Sequence, residues 1–530
     1  MRGSPGAAAA ALGAVALILG AEERAAAAEG RALSLLEAVQ IALANDAELY
    51  IAREDARAAG DGISLARSAF AKRLFGEIYG RYSALPPSAE SFRAIDKIAA
   101  ATIGIAGRLE TGLTYTLSGG LTRQDLDDPF STRYDAATTT TARAEVVQPL
   151  GRGAFAAARR PIVVASLRRD RSEHELRARI EGTVGAVAVA YWNLVRARSE
   201  RDARTSALEL AREQVEDARR LQRLGTGSEL DVVEAEAGVS RRQQELLRTE
   251  QDVVEADGKL FEALGVRAGE AGWDAGRAIV PTDAPRIEPL VAGVDAQIAL
   301  ARTRRADALA ARDRIDAEAA ELAVAADRRR ASIDLVAAAG TAGFAGALAS
   351  TYATAGVNGG GLDPAYATDP AYDGGLGASL RNTAGRDLQL YLGLRFELPL
   401  GNHEAAVRHA IQQRTLARAR LAERATLAQI EGEVRTAVAR IAVGVQLVEA
   451  ADRTVALAEQ LLEGTRKRFR AGAGTSFDVL RVSDELTRAR VEAARARADH
   501  RASLTRLAAA TGTLLEGLGV GAGGLGASPR

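Results

Sequence analysis

The chain of 530 residues is long enough for three or four ordinary domains, yet aromatics make up only 4% of it and Ala, Arg, Leu and Glu dominate, which suits long helices with thin seams. Its 69 basic residues balance its 69 acidic ones, so neither a polyanion such as nucleic acid nor an anionic surface is implied as a partner. With no cysteine it has no disulfides, thiolate metal sites, Cys nucleophiles or lipidated N-terminal Cys.

Residues 1–28 read as a signal peptide. Arg2 is the charged start, Ala7 to Leu19 the short apolar core, and Ala26-Ala27-Ala28 a small-residue cleavage site before Glu29. Ser34 with Glu37 three residues on predicts a capping box and a helix running to about Lys72. A strand-rich stretch to Gln148 follows. Leu113, Tyr115, Leu117 and Leu121 alternate there with Thr114, Thr116, Ser118 and Thr122, and weaker alternation covers Leu74 to Tyr82, Thr102 to Leu109 and Arg143 to Val147. Asp125 to Thr141 reads as a polar loop.

From about Arg152 to Leu224 the pattern is helical, with Pro161 the only internal proline. Roughly 73 residues at 1.5 Å each span about 110 Å, and the roughly 37-residue helices before and after would match that length end to end. The seam Leu208, Val215, Ala218, Leu221, Leu224 has coiled-coil spacing, which a solvated coiled coil would also show. Ser228 caps a second helix that ends near Gly265, and a proline-containing linker covers 281–292. Beyond it, helices are expected over about 293–330, 402–471 and 475–512, with a tail over 516–530.

Two strands fall between these helices, a weaker one at Ile333 to Gly340 and the clearest of the chain at Leu388 to Leu398. In the latter, Leu388, Leu390, Leu392, Leu394, Phe396 and Leu398 share one face, while Gln389, Tyr391, Gly393, Arg395 and Glu397 share the other. Eleven such residues are close to what a tilted strand needs to cross a bilayer, with one face for lipid and one for a wet lumen. Gly356 to Arg386 has the character of a long external loop. Leu335 to Val357 is uncharged and long enough for a membrane helix, but its glycines and alanines make insertion weakly favourable at best.

The chain repeats itself. Ile180-Glu181-Gly182-Thr183-Val184 recurs as Ile430-Glu431-Gly432-Glu433-Val434, and Pro149-Leu150-Gly151 as Pro399-Leu400-Gly401. Gly225-Thr226-Gly227-Ser228-Glu229-Leu230-Asp231-Val232 recurs as Gly472-Ala473-Gly474-Thr475-Ser476-Phe477-Asp478-Val479. The shared order divides the mature chain into repeats over 29–280 and 293–515. A few strands per chain cannot close a membrane barrel, and open sheet edges are forbidden in lipid, so several copies must pool their strands.

These features resemble the TolC-type outer-membrane efflux proteins over essentially the whole mature chain. The carriers are Leu35-x-Glu37-Ala38-x-x-Ile41-Ala42-Leu43-Ala44-Asn45, the strand exit Gln148-Pro149-Leu150, the repeat, and the two Gly-x-Gly-Ser/Thr-x-x-Asp-Val turns. The resemblance implies an α+β membrane protein, a homotrimer whose 12-stranded barrel takes about four strands from each protomer and continues into a long periplasmic helical barrel. It implies an outer-membrane location with a long periplasmic portion. It further implies a passive duct in a tripartite efflux or type I secretion system, joined through a periplasmic adaptor (membrane fusion) protein to an inner-membrane pump or ABC transporter, with no cofactor of its own.

In this family the two turns lie at the periplasmic tip. Carried over, Arg223, Leu224, Gly225 and Thr226 form one adaptor-contacting tip, and Phe469, Gly472, Ala473 and Gly474 the other. Asp231, Asp478 and Arg481 become gate candidates. A ring of Asp478 carboxylates about a three-fold axis would attract cations. The ordinary alternative is an acidic first-turn residue complementing its helix dipole. Arg481 departs from the second acidic residue some members carry. So does the first half, whose alternating segments number up to four where two are needed: either an extra hairpin projects from the barrel, or one segment stays outside the membrane. No catalytic constellation is present. His174, His403, His409 and His500 are scattered without metal-ligand spacing, and Gly225-x-Gly227 lacks the context of a phosphate loop.

Overall fold

The computed structural model describes residues 30–85, 94–127, 134–225, 227–266, 278–289, 293–348, 372, 374–384, 387–471 and 473–519. The signal peptide, the end of the tail and most of the Gly356 to Arg386 loop lie outside these residues. The chain forms two compact units. One comprises Ala58–Asp170 and Asp313–Arg420, the other Met1–Arg57, Arg171–Arg312 and Leu421–Arg530.

The first unit is built on one sheet. Its strands are β2 (Arg73–Leu85), β3 (Ala94–Arg108), β4 (Thr114–Asp127), β5 (Tyr134–Pro149), β7 (Ser332–Leu348) and β8 (Asp387–Glu397). They are hydrogen-bonded in the order β2-β3-β4-β5-β7-β8, every pair antiparallel. The resemblance implies about four strands per protomer, whereas this chain places six in one sheet. The reason is the register. Partners Leu74↔Ile105, Ile105↔Leu117, Leu117↔Ala144, Ala144↔Ala339 and Ala339↔Leu390 put one largely apolar face across all six strands, its charged residues Lys97, Arg123 and Asp125 confined to the Ala94 end of β3 and the Asp127 end of β4. The other face carries Glu77, Arg81, Asp96, Thr102, Thr116, Ser118, Arg143, Glu145, Asp334, Gln389 and Arg395, and Asp96 accepts there from Arg81 and Gln124 at 3.0 Å each. Side chains on a strand alternate, so a one-residue slip in any pair would break this division.

One expectation is corrected here. Most of Asp125 to Thr141 is strand, not loop, because its threonines pair with β4 and β7 on both sides. The uncharged Leu335 to Val357 stretch begins as strand β7, and no helix among the described residues is long and apolar enough to cross a membrane. The helix α7 (Leu376–Thr383) lies on the apolar face over Gly343, where a Cβ would come within 2.0 Å of the Ser379 carbonyl. Thr140 Oγ1 pairs with Ser379 Oγ at 2.8 Å, and Thr341 Oγ1 donates to the Thr383 carbonyl at 2.6 Å. The hydroxyls that interrupt the apolar face are thus satisfied by protein.

The second unit is helical. The chain's helices match in length between the halves. These are α1 (Leu35–Asn45) and α5 (Val294–Arg304) at 11 residues, α2 (Ala47–Ser68) and α6 (Ala306–Asp327) at 22, α3 (Ala156–Arg223) and α8 (His403–Arg470) at 68, and α4 (Glu229–Ala263) and α9 (Ser476–Thr511) at 35 and 36. A short α10 (Leu514–Gly517) follows and crosses from the second repeat into the span expected as tail. The capping box at Ser34 and Glu37 forms as expected.

The expected helices to Lys72 and over 293–330 are each broken once. Asp46 takes an extended backbone, its Oδ1 caps the N–H groups of Glu48 and Leu49, and its Oδ2 accepts from Thr183 at 2.7 Å. Arg305, also extended, pairs with Asp307 at 3.0 Å and with Glu433. Thr183 and Glu433 occupy the one position at which the Ile-Glu-Gly-x-Val segments differ. Each break is thus tied to a long helix by a pair suited to it.

The linker is ordered in part. β6 (Ile279–Pro281) pairs in parallel with β1 (Arg31–Leu33). Buried Tyr191 holds the crossing: its hydroxyl donates to Asp283 at 2.7 Å and accepts from the Thr282 and Asp283 N–H groups at 3.1 Å. Burial, with the Asp283 carboxylate next, pushes this phenol well above its ordinary range. Tyr191→Phe strips the Asp283 N–H of its acceptor and leaves the Thr282 N–H with the Leu33 carbonyl alone. It is expected to cost about 1–3 kcal/mol and to raise proteolysis within residues 278–289, measured by denaturant unfolding and limited digestion.

Candidate functional site at the two helix turns

The turn after α3 follows from its glycines. Gly225 has φ +73, a conformation that side chains resist, and its N–H donates to the Gln222 carbonyl at 3.0 Å. The Gly227 N–H then reaches the Leu221 carbonyl at 3.1 Å, closing α3. After α8, the Ala471 and Ala473 N–H groups donate to Lys467 and Arg468 carbonyls at 3.1 and 2.9 Å. Thr226 and Gly472 lie outside the described residues. Gly474 packs against the Phe469 backbone, its Cβ position 3.4 Å from that nitrogen.

Both turns hand over to the next helix through one device. Ser228 Oγ accepts from the Asp231 N–H at 3.1 Å, while Asp231 Oδ2 accepts from the Ser228 N–H and hydroxyl at 3.0 and 2.8 Å. Thr475 and Asp478 repeat it at 3.2, 3.3 and 2.7 Å. Two of the three gate candidates, Asp231 and Asp478, are therefore capping residues in this fold. Partial burial opposes ionisation of Asp231, but the Ser228 and Ser476 backbones and the Ser228 hydroxyl outweigh it and lower its pKa. The Thr475 hydroxyl and N–H, helped by Arg481 and Arg468, lower that of Asp478.

The structure separates the remaining candidates. Arg223, Leu224, Gly225, Ala473, Gly474 and Arg481 are exposed. Phe469, expected as a tip contact, is only 4% exposed and packs with Val215, Leu462, Val479 and Leu486 beneath the turns. The ring exposed here is Phe477, with Leu224, Leu230 and Val233 also open. An apolar residue one or two places inside a polar N-cap was the signal that would have pointed to Leu230 and Phe477.

Below the turns, charge fixes which helices meet. Arg466 and Arg470 of α8 reach Glu213 and Asp217 of α3 at 2.8 and 3.1 Å, and Arg219 of α3 reaches Glu236 of α4 at 2.8 Å. Sequence reasoning missed Arg242, whose guanidinium is buried between α4 and α9 and donates to Asp484 at 2.9 Å and Ser483 at 3.1 Å. Gly238 permits this approach, since a Cβ there would come within 2.8 Å of Leu480. Burial lowers the Arg242 pKa, and the Asp484 carboxylate opposes that.

A carboxylate with a depressed folded pKa stabilises the fold at pH above its unfolded value, and that contribution is lost as pH falls through the folded pKa. The variant carrying Asp231→Asn and Asp478→Asn is thus expected to unfold more readily than the wild type near pH 6. The gap should close by about pH 2, read from urea midpoints across the series.

Residues 112–266 match the family model described as outer membrane efflux protein. The structure is similar to the outer-membrane channel OprN (15% identity, TM-score 0.61, covering 90% of each chain). It is also similar to the CmeC outer membrane channel of Campylobacter jejuni (15%, 0.58, covering 91% of this chain and 86% of that one). The outer membrane protein VceC of Vibrio cholerae matches likewise (16%, 0.58, 90% and 96%). At the level of sequence no curated protein matches significantly. At these identities the structural likeness is one of fold. Residues 112–266 are thus similar to the outer membrane efflux protein family, and the chain has the fold of the TolC-type outer-membrane channels.

Proposed function

We propose that this protein is the outer-membrane channel of a tripartite efflux or type I secretion system. It sits in the outer membrane with a long periplasmic helical portion. As a homotrimer it conducts substrates passively, receiving them from an inner-membrane pump or ABC transporter through a periplasmic adaptor. The observation that carries the reading is the sheet: six strands of 11 to 17 residues share one face that is apolar except at the far ends of β3 and β4, and one charged face. Strands of that length cross a bilayer, and that division suits lipid outside and water inside. Two of them, β5 and β8, lead within a few residues into helices of 68 residues, whose far ends form the turns offered to the adaptor.

On this reading Leu388, Leu390, Leu392, Leu394 and Phe396 face lipid, and all five are widely exposed in the single chain. Arg at position 392 would place a charge mid-membrane at a cost of about 2–4 kcal/mol. Leu392→Arg is therefore expected to abolish the heat-resistant oligomer in outer-membrane fractions, while Gln389→Arg on the opposite face keeps it. Equal behaviour of the two variants would overturn the facing assignment, and a wild type soluble without detergent would overturn the channel. The tip makes a separate prediction. Leu224→Asp together with Phe477→Asp leaves the oligomer in the membrane but removes efflux, read as lost resistance in a strain lacking its own channel.

A further inference from the structure

We propose that the strands β2 and β3 belong to the membrane wall, and that β8 of one copy pairs with β2 of the next to close a barrel of six strands per copy, eighteen in a trimer. The proposal rests on the homotrimeric channel reading above and adds the size of its pore and the surface that closes it.

The hairpin β2–β3 continues the sheet without interruption. Its 13 residue pairs run from Arg73↔Ala106 to Leu85↔Ala94 with no shift of register, and β3 pairs with β4 from Ile95↔Asp127 to Arg108↔Thr114. Leu74, Ile78, Ile103 and Ile105 extend the apolar face that ends at β8 in Leu388 to Phe396. Ile78 is 86% exposed, and neighbouring Leu74 and Ile103 are also open. A hairpin projecting into water would leave this contiguous apolar surface uncovered, whereas lipid covers it. Glu77, Arg81 and Asp96 fall on the same face as Arg143 and Arg395, where a wet lumen would lie, and Lys97 stands at the far end of the apolar face opposite Asp125.

Among the described residues β2 and β8 are the two edges of the sheet. In hydrocarbon their unpaired N–H and C=O groups have no water to bond. One copy cannot join its own edges, because single-chain barrels begin at about eight strands. The occupant of each edge is therefore another copy of this chain. Geometry favours that pairing: with six strands in an antiparallel sheet, β2 and β8 run in opposite directions, so rotation about a common axis brings β8 beside the next β2 in antiparallel sense. Barrel diameter grows roughly linearly with strand number, so the wall would be about 1.5 times as wide as a twelve-stranded one. An exit of that width would pass bulkier cargo than a twelve-stranded barrel.

Electron cryomicroscopy of the full-length protein in lipid nanodiscs tests this directly. The expected result is a closed wall of eighteen strands with a β8–β2 seam between copies. A trimer closed on twelve strands, with residues 73–108 outside the wall, would overturn the proposal and leave the channel reading intact. A wild type that is not a membrane oligomer would overturn both. A second measurement does not depend on imaging. Ile78→Arg and Ile103→Arg should each lower the yield of heat-resistant oligomer about tenfold or more, and Tyr79→Arg on the opposite face should not. Wild-type yield from both isoleucine variants would place the hairpin outside lipid.

Discussion

Backbone amides and carbonyls lose their water partners in hydrocarbon, and the sheet unit is organised around that loss. A strand in such a setting must have a neighbour on each side, which fixes register as firmly as any side chain does. Register then decides which side chains meet lipid. In β7 and β8 the pairing Ala337↔Leu392 and Ala339↔Leu390 keeps leucines of one strand over small residues of the other. The exception supports the rule. Thr140 and Thr341 lie on the apolar face, and the chain brings the helix α7 back over them so that their hydroxyls bond to Ser379 and Thr383. Leu376 and Leu380, on the far side of that helix, restore an apolar surface where the threonines interrupted it.

The helical unit faces the opposite problem. Its seams are thin and rich in alanine, so packing alone specifies helix neighbours weakly. Ion pairs such as Arg219–Glu236 and Arg490–Glu459 are exposed and each contributes about 0–1 kcal/mol. Their value is in selecting register and partner. The buried Arg242 differs in kind. Its charge is matched by Asp484, with the Ser483 hydroxyl a further acceptor, and losing Asp484 would leave a guanidinium without its counter-charge between α4 and α9. That one contact ties together the two helices that leave the turns.

Much of this was legible in the amino-acid order because local rules coincide with the fold. Period-2 alternation located β4 and β8, and the Ser34 capping box and the Ser228 cap located two helix starts. Long proline-poor runs gave α3 and α8 nearly to their ends. What escaped is non-local. Asp46 and Arg305 look like ordinary helix residues until Thr183 and Glu433 are known to stand beside them. Tyr191 looks like core until the linker crosses it. The Thr138 to Thr141 run has no alternation of its own and becomes strand only because β4 and β7 flank it. Phe469 and Phe477 could not be told apart by composition, since burial under the turns depends on where α9 packs.

The turns themselves need not choose between the two roles proposed for their aspartates. In each cap one carboxylate oxygen, Oδ2, takes the N-cap N–H and hydroxyl. Those bonds favour the charged form, so an aspartate that holds the turn also keeps a full negative charge there. If the turns face a common axis, the charge is repeated by symmetry, and what matters is what stands near it. Asp478 has Arg481 and Arg468 close enough to lower its pKa, so the field it projects is offset at its source. A tip built this way would hold its helices by charge while offering little net charge to a passing solute, which suits a duct whose selectivity is set upstream.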